Sequence, residues 1–76
     1  MTKTNKAALK TMLEALRDIE SRLEEIVNEE QEIFDERSER WQDSEKGEAA
    51  QDAIDQVSDA MDSVADAANS LEEVIG

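Results

Sequence analysis

Residues 50 to 75 read AQDAIDQVSDAMDSVADAANSLEEVI, and the period of this run decides the fold. With Ala50 at heptad position a, that position holds Ala50, Val57, Val64 and Leu71. Position d holds Ala53, Ala60, Ala67 and Val74, and position e holds Ile54, Met61, Ala68 and Ile75. All twelve are apolar in a chain that is only 38% hydrophobic, so the repeat marks one face of a helix. A stripe of a, d and e is wider than a coiled-coil seam and suits a core-facing helix of a bundle.

The N-terminal half carries the same repeat less cleanly. Leu9, Leu16 and Leu23 fall at a, Met12, Ile19, Ile26 and Ile33 at d, and Leu13, Val27 and Phe34 at e. Glu20 interrupts the e row, and Glu30 is the one polar a position. The spacing predicts a first helix over about residues 5–37, a turn over about 38–43 and a second helix over about 44–75. The second would be roughly 48 Å long at 1.5 Å per residue.

Between them lies ERSERWQDSEKGE, residues 36–48. Asp43 or Ser44 can cap the second helix, and Glu45 and Glu48 suit the positive end of its dipole. Gly47 weakens helix locally and would displace that start by a turn. Trp41 is placed to close the apolar end of the hairpin.

A short connection makes the two helices antiparallel neighbours. Residues whose numbers sum to roughly 82 then lie side by side. That places Lys3, Lys6, Lys10 and Arg17 near Asp66, Glu72 and Glu73. The expected fold is all-α: an antiparallel helical hairpin forming a single domain. Two helices bury a and d, and a wet e row would expose a long apolar patch that single chains avoid. A homodimeric four-helix bundle, or a higher oligomer, would bury it. Self-association is therefore assigned to Ala53, Ile54, Val57, Ala60, Met61, Val64, Ala67 and Leu71. The alanines would admit one close neighbouring helix, while Ile54, Met61 and Ile75 fill the gap toward another.

Composition narrows the chemistry. A chain of 76 residues without Cys or His has no disulfide framework and neither of these side chains to serve as nucleophile, base or metal ligand. No Gly-rich phosphate loop occurs. Glu30, doubled in a dimer, would be an incomplete metal site, and a residue that fixes register is the better reading. No enzyme activity, metal or cofactor is expected. No run approaches the ~18 apolar residues of a membrane span, and the N-terminus lacks a signal-peptide core. The expectation is a cytoplasmic protein that neither binds nor enters membranes.

Charge supplies the strongest remaining signal. The net charge is −13, from 21 acids and 8 bases. That sign disfavours direct nucleic-acid binding and favours basic proteins as partners. Asp52, Asp59, Asp66 and Glu73 occupy position c, with Asp55 and Asp62 at f. Residues 47–76 hold eight acids and no base, whereas residues 1–46 mix thirteen acids with eight bases. An outer face must be polar for solubility, yet a one-sided stripe is costly in self-repulsion. It is the candidate contact surface.

The stretch FDERSERWQDSEKGEAAQDAIDQV resembles a pattern in small acidic helical-hairpin proteins of tailed bacteriophages and prophages. Their turn reads approximately F-D-x-x-P-E-x-L-Q-x-S-E-x-G-E, followed by A-I-D heptads. Phe34, Asp35, Glu39, Gln42, Ser44, Glu45, Gly47 and Glu48 match it. Trp41 takes the Leu position, and Ser38 replaces Pro, which would loosen the turn or lengthen the first helix. The resemblance implies a phage-encoded accessory protein working in the host bacterial cytoplasm, and it supplies no site residues. Together with the acidic stripe it suggests a non-enzymatic binder of a basic host protein. Nucleic-acid mimicry against a defence system (anti-CRISPR or anti-restriction) or a DNA-handling protein is one form of this. The alternatives are a self-associating assembly bundle and small-ligand capture by the oligomer, using Arg22, Arg37, Arg40 and Trp41.

Overall fold

In the computed structural model, which describes residues 1–76, α1 runs Lys3–Glu36 and α3 runs Glu45–Ile75. The intervening turn contains a helical turn of its own, α2 (Glu39–Gln42). No strand is present, and the antiparallel α1 and α3 form a rod of 57 × 15 × 14 Å. Thr2 caps α1 by accepting from the Asn5 N–H at 3.1 Å. Helix therefore begins two residues before the sequence reading placed it.

The corner is tightly specified. Arg37 and Ser38 are extended, at φ −75°, ψ 156° and φ −63°, ψ 152°, so α1 stops at Glu36. Ser38 then caps α2, its Oγ accepting from the Trp41 N–H at 3.2 Å. Ser38 holds the backbone angle that a proline ring would impose and adds a cap that proline lacks. Gln42 reaches back to the end of α1, its Nε2 donating to the carbonyls of Phe34 (3.2 Å) and Arg37 (3.0 Å). The Phe34 carbonyl also accepts the N–H of the C-cap Arg37 at 3.1 Å, so the carbonyl that depends on Gln42 is that of Arg37, an orphan of the helix C-terminus. Ser44 caps α3 by accepting from the Gly47 N–H at 3.2 Å.

Gly47 does not displace the start of α3. It is buried, and a Cβ there would run into the carbonyl oxygens of Trp41 and Gln42. Its missing side chain lets α2 lie on the first turn of α3, and this close approach outweighs its poor helix propensity. Trp41 packs edge-on against Phe34, with ring centroids 5.9 Å apart, and the Arg37 guanidinium sits 4.1 Å above its ring. Trp41 thus closes the apolar end of the hairpin.

The seam differs from the expected one. Ile54 and Ala68, both at e, are the only buried hydrophobic residues. The a row is half-buried, while Ala53, Ala60 and Ala67 at d are exposed. Met12, Ile19, Ile33 and Val74, also at d, keep 46–56% of their surface exposed. The hairpin therefore closes on a and e and leaves d open, apart from the half-buried Ile26. Two local facts account for this. Turning e inward covers Ile54 and Met61 in place of Ala53 and Ala60, which removes more apolar area from water. Phe34, an e residue, is also fixed against Trp41 at the corner.

Cross-hairpin polar contacts fix the pairing. Gln31 and Gln51 exchange amide hydrogen bonds at 3.3 Å, matching the side-by-side rule. Arg17 pairs with Glu72 at 3.0 Å and donates to Asn69 at 2.9 Å. Lys3, Lys6 and Lys10 form no ion pair, contrary to expectation. The rule sets Lys3 and Lys6 level with or past the last residue of α3, and Arg17 occupies Glu72.

Candidate functional site

Two separate faces of α3 emerge from its periodicity. At 3.6 residues per turn, the c row lies about 160° around the helix from both seam rows. It forms the back of the hairpin. The open d row lies about 100° from the c row. One helix thus presents an acidic line and an apolar line that do not overlap.

Asp52, Asp55, Asp59, Asp62, Asp66 and Glu73 are all exposed, and none is in an ion pair. Asp55 accepts from Gln51 Nε2 at 3.0 Å, an intrahelical contact that leaves its charge uncompensated. The line from Asp52 to Asp66 rises about 21 Å along α3. Mutual repulsion along it is unrelieved, and an opposing basic surface would relieve it. No three carboxylates converge at metal-ligand distances, and Glu30 stands exposed at the rim of a groove.

The apolar side is built from both long helices. On α1 it presents Met12, Ile19, Ile26 and Ile33; on α3, Ala53, Ala60, Ala67 and Val74. The flanking g positions of α3 are Ala49, Gln56, Ser63 and Ser70, so this flank carries no charge. Near the corner the face deepens into a groove of about 220 Å³ lined by Ile26, Ile33, Trp41, Ala53 and Val57, with the exposed Glu30 as its lone acid.

The predicted self-association residues therefore divide. Ala53, Ala60 and Ala67 are exposed. Ile54 is buried within the hairpin, and Val57, Met61, Val64 and Leu71 are half-buried between α1 and α3. Those five serve the intramolecular seam first. Periodicity alone missed this split, because a, d and e read as one stripe until α1 is placed against them. It also missed Met12, Ile19 and Ile33 as part of the open face, although their heptad position pointed to it. Of the residues suggested for ligand capture, Arg37 and Trp41 are engaged with each other, and Arg22 pairs with Glu25 at 2.9 Å.

No family model matches the chain, and no curated protein or solved structure matches it at a significant level. No helix is long and apolar enough to cross a membrane.

Proposed function

We propose that the chain is a non-enzymatic, phage-type accessory protein that self-associates through its open apolar face. Its acidic back then binds a basic surface on a host protein. The observation that carries this reading is the separation of the two faces. Covering the d rows with a second hairpin leaves Asp52, Asp55, Asp59, Asp62 and Asp66 facing solvent, with no Lys or Arg paired to them. A rigid row of carboxylates on a helical rod has the charge sign of a nucleic-acid backbone and suits proteins that handle one. A defence nuclease or a DNA-handling regulator is the kind of target it fits.

The test replaces the five aspartates with Asn. Helicity should persist, and a basic partner captured by the parent chain from bacterial lysate should be lost. Capture should also weaken steeply with salt, because screening removes attraction between exposed charges. Equal capture by both chains at moderate salt would refute the acidic contact surface.

A second reading has its own support. The exposure of Met12, Ile19, Ile33 and Val74 marks an unfilled apolar face, and assembly could itself be the function. Ala60→Glu would then abolish activity while the aspartate replacements were tolerated.

A further inference from the structure

The charge of the rod is unevenly distributed along its length. The half nearest the corner, residues 24–58, carries thirteen acids and three bases, a net −10. The open half, residues 1–23 and 59–76, carries eight acids and five bases, a net −3. Lys3, Lys6 and Lys10, all in the open half, are free of ion pairs. Two hairpins stacked on their d rows have two symmetric arrangements, with corners at the same end or at opposite ends. Corners together lay one −10 half on the other. Corners apart lay each −10 half on a −3 half that holds the free lysines.

We propose that a second copy of this chain covers the d face with its corner at the opposite end of the rod. This rests on the self-association proposed above and specifies its geometry. The two-fold axis crosses the rods at mid-length, so α1 packs on the partner's α1 and α3 on the partner's α3. Full overlap of the apolar rows then sets Met12 against the partner's Ile33 and Ile19 against the partner's Ile26. On the other side Ala60 meets the partner's Ala60. The α3 pair meets through alanines flanked by uncharged residues, which permits close approach without apposing the acidic backs. The corner groove is filled by Met12 of the other chain.

A nitroxide label at Asp43→Cys tests this, because Asp43 is exposed at the corner and the chain has no other cysteine. With corners apart on a rod 57 Å long, the label–label distance should be about 50 Å by helix rise. Corners together would give roughly 20 Å, from the packing distance of adjacent helices plus the label arms. The short distance overturns the orientation and leaves self-association intact. A monomer, with no dipolar signal at any concentration at which the chain is helical, overturns both. As a second measurement, Ala60→Cys should oxidise to a covalent dimer without loss of helicity. In the corners-together arrangement Ala60 faces the partner's α1, and that cross-link would not form.

Discussion

Gly47→Ala separates two physical arguments that predict opposite signs. By helix propensity alone, alanine inside α3 should stabilise by about 1 kcal/mol. The structure places the new methyl group against the carbonyl oxygens of Trp41 and Gln42. These are backbone atoms, and they cannot rotate away as a side chain would. Relief requires lifting α2 from α3, which loosens the Ser44 cap and the Trp41–Phe34 contact. Overpacking costs about 1–3 kcal/mol, and a clash with two backbone carbonyls that cannot move aside belongs to the upper part of that range, about 2–3 kcal/mol. The net expectation is a loss of about 1–2 kcal/mol, or a melting temperature lower by roughly 5–15 °C for a chain of this size. Circular dichroism at 222 nm, on heating and in urea, measures it. Both chains must be compared at one concentration, since association shifts apparent stability. A variant as stable as the parent, or more so, would refute the account of the corner.

Gln42→Ala should lower the urea midpoint by the equivalent of about 1 kcal/mol, because the Arg37 carbonyl loses its donor while the Phe34 carbonyl keeps the Arg37 N–H. Ser38→Pro should change stability by less than about 1 kcal/mol, since the backbone angle already suits proline and only the cap is lost; a larger loss in thermal melts would contradict this. Ile54→Ala should cost about 2–4 kcal/mol as a cavity within the hairpin, measured by urea unfolding. Ala60→Glu, at an exposed position, should instead halve the mass seen by light scattering and make helicity depend more steeply on concentration.

How much of this was legible in the sequence follows from what periodicity encodes. A heptad repeat reports angle around a helix, so the two helices and the outward acids could be read directly, and the short connection between them made the pairing antiparallel. It does not report which rows of a three-row stripe meet the neighbouring helix. That choice fell to Phe34 on Trp41 and to the greater area of Ile54 and Met61, both relations between elements. The lysines failed for a related reason, since the side-by-side rule runs off the chain end before reaching Lys3. The corner motif proved informative about geometry. Phe34 packs on Trp41, Gln42 caps α1, Ser44 caps α3 and Gly47 admits α2. These residues build the hairpin, so a resemblance carried by them speaks to fold and leaves the contact surface to be found by charge.

One hairpin alone has little core. Only Ile54 and Ala68 are buried hydrophobic residues, and the d rows of both long helices lie open. So little core rarely sustains a chain of this length without a partner surface. Sedimentation equilibrium on the unmodified chain tests this most directly. A mass of twice the 8.5 kDa chain, or a higher multiple, is expected wherever the protein is fully helical. A fully helical species sedimenting at 8.5 kDa would contradict it.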